Sequence, residues 1–216
     1  MDLNGLILIL PAMLKGAGVT LLLTVVSVFF GIILGLLLAL ARLSKNFALN
    51  KFSQFYIWFF RGTPLLLQLF FIFYELPMLI HVPMGQYFAS FVALSLNSGA
   101  YLAEIIRAAI QSIDKGQMEA SRALGMTYGQ AMRRIIVPQS YRRLIPPVGN
   151  EFIALLKDTS LVCNIGMTEL MFVTSSRANS SGQAIYYLPA AILYLAMTSV
   201  FTYVFSRLEK KYSAYE

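Results

Sequence analysis

Residues 16 to 41 carry no charged side chain and are almost entirely apolar. A membrane-crossing helix needs about 20 such residues, because the bilayer core offers the backbone no hydrogen-bond partners except its own. A chain containing this run therefore folds in a membrane or hides the run in a core larger than 216 residues can build. Composition favours the membrane: 58% of residues are apolar and 12% charged, against about 45–50% and about 25% in soluble domains.

Further apolar runs continue the pattern. Spans are expected at about 16–41, 55–80, 86–110, 146–166 and 184–205, with a lead over 1–15, a polar cytoplasmic loop over 111–145 and a cytoplasmic tail over 209–216. Residues 1–14 contain Asp2 and no Lys or Arg, so the N-terminus reads as retained rather than as a cleavable signal. Gly31 and Gly35 have the G-x-x-x-G spacing that lets two helices approach closely. Within the second run, Arg-Gly-Thr-Pro at 61–64 interrupts the apolar pattern, and Pro64 removes a helical hydrogen bond, so a break or kink is expected there. The break is either an element lining a cavity or the boundary between a surface helix and a shorter span.

Five spans put the termini on opposite sides. Fourteen of the 17 Lys and Arg residues, Arg61 among them, fall at ends assigned to the cytoplasm, while Lys15 and Arg177 fall outside and Lys157 lies within a span. The positive-inside bias thus sets the N-terminus outside and the C-terminus in the cytoplasm. The formal charge of +7 then reflects topology and lipid contact rather than nucleic-acid binding. Lone Cys163 forms no internal disulfide, and His81 reads as a loop residue.

Residues 119–139 read EASRALGMTYGQAMRRIIVPQ. Glu119 to Leu124 favour a helix that Gly125 caps, and Thr127 can cap a second helix from Tyr128 to Ile136 that Pro138 ends. The product is a two-helix knob, suited either to a soluble partner or to anionic headgroups. The segment resembles the E-A-A, three residues, G, nine residues, I, one residue, L-P signature of ABC importer permeases: Glu119, Ala120, Gly125, Ile135 and Pro138 match, while Ser121 and Val137 depart mildly. Residues 61–65, Asn97 to Arg107, and Lys-Asp-Thr-Ser at 157–160 are similar to motifs of the polar amino-acid branch. Together the likeness covers about residues 16–208.

The resemblance implies an all-α, five-span type I importer domain in a bacterial cytoplasmic membrane. Its expected partners are two ATPases, a second permease of the same or related sequence, and a soluble or lipid-anchored protein that delivers an amino acid. Glu119, Ala120, Ser121, Ala123, Leu124 and Gly125 become the ATPase-docking helix. This chain has no phosphate loop of its own, so ATP and Mg²⁺ belong on the partner, and neither catalytic residues nor a metal site are expected here.

Charges inside a bilayer cost about 2.5–3.5 kcal/mol each on insertion scales, which singles out Glu104, Glu151, Lys157 and Asp158. Asn97, Tyr101 and Glu104 share one helical face, as do Asn150 and Lys157, and Glu151 and Asp158. Facing each other, these stripes line an amino-acid path. Alternatively Glu104 pairs with Arg107, and Lys157 with Asp158 or Glu151, merely to neutralise charge. The resemblance adds Gly62, Thr63, Pro64 and Leu65, with Thr159 and Ser160, to the expected path. An ion-coupled carrier using Glu104 and Asp158, or a scaffold that recruits a soluble protein, remain the alternatives.

Overall fold

The structure, a computed structural model, describes residues 3–213. All regular elements among them are helical. α1 is a single helix from Leu3 to Leu43, so the described part of the expected lead is helical and continuous with the first span. After a short turn, α2 (Phe47–Gly62) folds back along α1: the Ser53 hydroxyl donates to the Leu38 carbonyl at 2.8 Å. At Thr63 and Pro64 the backbone becomes extended. The next helix, built from α3 (Leu65–Phe70), a π turn (Phe71–Glu75) and α4 (Leu76–Ile80), departs from α2 at 105°. The expected break is therefore a sharp corner.

α5 (Gln86–Gln111) packs closely along α1. A Cβ on Gly31 would lie 3.1 Å from the Ser98 Cβ, and one on Gly35 would lie 2.8 Å from the Leu102 Cβ. Gly99 returns the fit, since its added Cβ would meet Leu34 at 2.8 Å. Lipid tails are as apolar as Leu, so helices associate in a bilayer mainly through such close backbone approach. Because 31 meets 98 and 35 meets 102, α1 and α5 run parallel.

α6 (Lys115–Ala123) and α7 (Tyr128–Ala131) form the knob, and α8 (Val137–Asp158) returns through the bundle. A 3₁₀ stretch (Thr159–Ile165), α9 (Leu170–Ser181) and α10 (Tyr187–Ser213) complete the fold. α8 lies antiparallel to α10, with the Phe152 ring 4.5 Å from that of Phe201 and tilted 41° to it, and the Arg142 Nε donating to the Tyr212 carbonyl at 2.8 Å. The main core, including Leu23, Leu69, Leu94, Leu156 and Ile165, joins α1, α3, α5, α8 and the 3₁₀ stretch.

Three expectations change. The described part of the expected 209–216 tail, up to Ser213, continues α10. Residues 137–145, expected in the loop, open α8, whereas 159–165 tighten into a 3₁₀ helix. Pro138 does not end the knob's second helix. A π turn over Met132–Ile136, closed by Val137 N–H to the Met132 carbonyl, precedes it and the chain spirals on. The same arrangement occurs before Pro77, where Leu76 N–H reaches the Phe71 carbonyl. The widened turn takes up the clash that a proline ring makes with the carbonyl four residues back.

By length and composition, 5–43, 86–111 and 184–212 are each able to cross a membrane, and the bent pair 47–62 with 65–80 qualifies as a fourth. α8, carrying Arg142, Arg143, Glu151, Lys157 and Asp158, does not meet that standard.

Candidate functional site

Two regions lie where the sequence places function, and opposite requirements build them. The first is the corner after α2. A broken helix leaves its last carbonyls without donors, and such groups at membrane depth must be answered by side chains or water. Here Thr63 Oγ1 donates to the Phe59 carbonyl at 2.9 Å. Gln68 is buried, and its Nε2 lies 2.9 Å from the Phe60 carbonyl, 3.1 Å from the Thr63 carbonyl and 2.8 Å from Thr63 Oγ1. Asn97 Nδ2 donates to the Phe60 carbonyl at 3.2 Å and to Gln68 Oε1 at 3.0 Å. Gln68 was not anticipated. Its signal was a single amide in the apolar stretch LLLQLFF, one turn past Pro64.

Below this corner runs a cleft of about 410 Å³ lined by Arg42, Ile57, Trp58, Arg61, Gly62, Tyr101 and Glu104, among others. A second, of about 380 Å³, shares Arg61, Tyr101 and Glu104 and reaches Arg143 and Pro147. Arg61, in the last turn of α2, has its guanidinium 5.2 Å over the Tyr101 ring and shares these clefts with Arg42, Ser112 and Arg143. Glu104 is held by Arg107, with Nε to Oε2 at 3.0 Å and a further contact to Oε1. The neutralising pair is thus formed here.

The α8 residues divide. Glu151 lies within electrostatic reach of Ser98, Asp158 and Arg61, which sets it on the side of the corner, while its neighbour Asn150 is exposed. Lys157 and Ser160 line a separate pocket of about 340 Å³ with Met171, Tyr187 and Tyr194. Among the described residues no ion pair joins Lys157 to Asp158 or Glu151. Thr159 is buried and bonds the Leu156 carbonyl at 2.7 Å. The two stripes therefore do not form one continuous lining within a single chain.

A buried carboxylate escaped the sequence reading as well. Glu169 caps α9 by accepting from Phe172 N–H at 2.7 Å, and its other oxygen accepts from Thr20 and Tyr194 at 3.2 Å each. A Cβ on Gly16 would lie 2.8 Å from the Leu170 nitrogen, so α1, α9 and α10 are locked together at this point. Its sequence position just past the expected fourth span hid it.

The second region is the knob. Asp114 caps α6 through Gly116 N–H at 2.7 Å. At the other end Gly125 N–H reaches the Arg122 carbonyl and Met126 N–H the Ser121 carbonyl, at 3.0 and 3.1 Å. These two bonds make a Schellman cap, which needs a residue with positive φ, and Gly125 has φ +82°. Two residues on, Thr127 and Gln130 form a reciprocal capping box. Hydrogen bonding thus fixes the link between the two helices. Leu124 projects from it at 82% exposure and Tyr128 at 56%. At the base of the knob, Arg143 donates to the Ser112 carbonyl at the end of α5, and Gln139 to Gln117 at 3.4 Å.

This geometry agrees with a family assignment. Residues 31–214 match the family described as binding-protein-dependent transport system inner membrane component. The chain belongs to that family. It is 39% identical over 216 residues to the arginine transport system permease protein ArtQ of Bacillus subtilis, covering 98% of this chain and 97% of that one. It is 40% identical over 207 residues to the L-cystine transport system permease protein TcyB of the same organism, covering 95% and 88%. A solved amino acid ABC transporter with histidines superposes with a TM-score of 0.92 at 36% identity, covering 98% of this chain and 99% of the other. The all-helical fold of this family's transmembrane domain is therefore the fold of this chain.

Proposed function

We propose that the chain is the membrane permease of an ATP-binding cassette importer for a polar amino acid. It works in a bacterial cytoplasmic membrane with a second permease, two ATPase subunits that bind ATP and Mg²⁺, and a binding protein that delivers substrate from outside. The knob carries this reading. Its link is fixed by hydrogen bonds, it presents Leu124 and Tyr128 with no apolar cover of their own, and Gln117 of α6 accepts from Gln139 of α8, which Arg143 in turn ties to the end of α5; α5 and α8 hold Asn97 and Glu151. A push on α6, the helix containing Glu119, Ala120, Ser121 and Ala123, thus reaches the polar corner through directly bonded elements.

Alternating helix directions support five passes, N-terminus outside. α1, α5 and α10 end near the knob, α2 and α8 begin there, and most basic residues cluster at that end. The path runs past Gly62, Thr63, Pro64, Leu65, Asn97, Tyr101, Glu104, Glu151 and Asp158. Asn150, Lys157 and Ser160 reach it only if a second permease closes the other side, and Thr159 is buried behind them.

Reconstitution in proteoliposomes tests the reading. Amino-acid uptake is expected only with the ATPase, ATP and the binding protein all present; uptake by the chain alone on an ion gradient would refute it. Asp158→Asn is expected to lower uptake while assembly with the ATPase persists.

A further inference from the structure

Most arginines of the helix bundle are answered by the chain. Arg42 donates to Asn50 at 2.9 Å, Arg107 to Glu104, and Arg142 and Arg143 to helix-end carbonyls. Arg61 is different. Among the described residues it makes no hydrogen bond and no ion pair; its guanidinium lies 5.2 Å over the Tyr101 ring and within electrostatic reach of Glu104 and Glu151. Its place in the last turn of α2 does not account for it, because Thr63, Gln68 and Asn97 already answer carbonyls there. Nor is Glu104 free to serve, since Arg107 grips both of its oxygens. A charge on a membrane helix whose hydrogen bonds the chain does not answer is a candidate for function by default.

Two cavities of about 410 and 380 Å³ border Arg61 on either side of Tyr101. A guanidinium beside an aromatic ring leaves N–H groups free to bond, and its fork matches a carboxylate with two parallel hydrogen bonds. Glu151 lies within reach of the charges of both Arg61 and Asp158.

We propose that Arg61 is the carboxylate anchor of the path, so that the permease itself selects amino acids with a free α-carboxylate. This rests on the amino-acid importer reading above. Esters or amides of the carboxyl group are then rejected within the membrane, independently of the binding protein.

The test uses the purified permease–ATPase complex in lipid nanodiscs without binding protein. Equilibrium binding is measured for L-arginine, L-glutamine and L-cystine, each against its methyl ester. At least one free acid is expected to bind more tightly than its ester. Arg61→Gln is expected to weaken the acid by about 10- to 100-fold, the scale of a lost charge-assisted hydrogen bond, and to leave the ester unchanged. Arg61→Lys should fall between, and Lys51→Gln, which removes an equal charge from α2 outside the cleft, should change neither. Undiminished acid-over-ester preference in Arg61→Gln overturns the proposal, as does absence of binding of all three acids to the unaltered complex. If neither Arg61 variant assembles with the ATPase, the residue is structural and the proposal also falls. Coupled uptake by the unaltered complex is scored separately: if that persists while Arg61→Gln discriminates normally, only the anchor is lost.

Discussion

The corner at Pro64 and the knob at Leu124 both interrupt helices, yet they handle the interruption in opposite ways. At the corner, carbonyls freed by the break are taken up inside the chain by Thr63, Gln68 and Asn97, so the feature is self-sufficient. At the knob the backbone is equally satisfied, by the Gly125 cap and the Thr127–Gln130 box. Its apolar side chains are not, with Leu124 82% exposed. A polar break made complete by its own amides needs no partner to be stable. A knob whose backbone is finished and whose side chains are bare has the form that the proposed docking to an ATPase requires.

The contrast can be broken by substitution. The largest effect is expected from Gly125→Val. A β-branched residue at φ +82° is strained, the cap opens, and coupled uptake should fall at least about tenfold while the protein still inserts. Leu124→Asp tests the side chain alone: loss of a central apolar anchor costs roughly 2 kcal/mol or more, to be read as reduced ATPase retention on co-purification. Retention unchanged by this substitution would show that the knob's apolar face is not the contact. Gln68→Leu attacks the other region and should leave ATPase retention intact. It removes donors from buried carbonyls at about 1–3 kcal/mol, seen as a lower melting temperature of the purified protein. The smallest effect is expected from Thr127→Ala, about 1 kcal/mol of local stability, detected as faster amide exchange over 128–136.

Much of this arrangement was legible in the residues. Gly31 and Gly35 announced a close helix contact, Pro64 a break, and Gly125 and Thr127 a cap on each side of a tight link; each depends on one side chain's local geometry. What stayed hidden required knowledge of neighbours. Gln68 looked like an isolated amide until α2 and α5 were brought against it. Glu169 looked like a loop residue until Thr20, 149 positions earlier, supplied a donor. Pro138 reads as a helix stop in any local scheme, and only the preceding π turn lets the helix pass it. Arg61 entered the sequence argument as a topological charge, since a count of basic residues cannot tell a side chain in headgroups from one lying over a tyrosine.

α1 is long for a membrane helix. A helix of 41 residues extends about 60 Å, roughly twice the hydrocarbon thickness of a bilayer. Pinned near one third of its length where Gly16 meets Leu170, and again where Gly31 and Gly35 meet α5, it resembles a mast stepped at two points. Such a mast leans, or carries its apolar head of Ile7, Leu8 and Leu10 past the lipid tails. Bilayer thickness therefore acts on this protein as a mechanical load applied at its first helix.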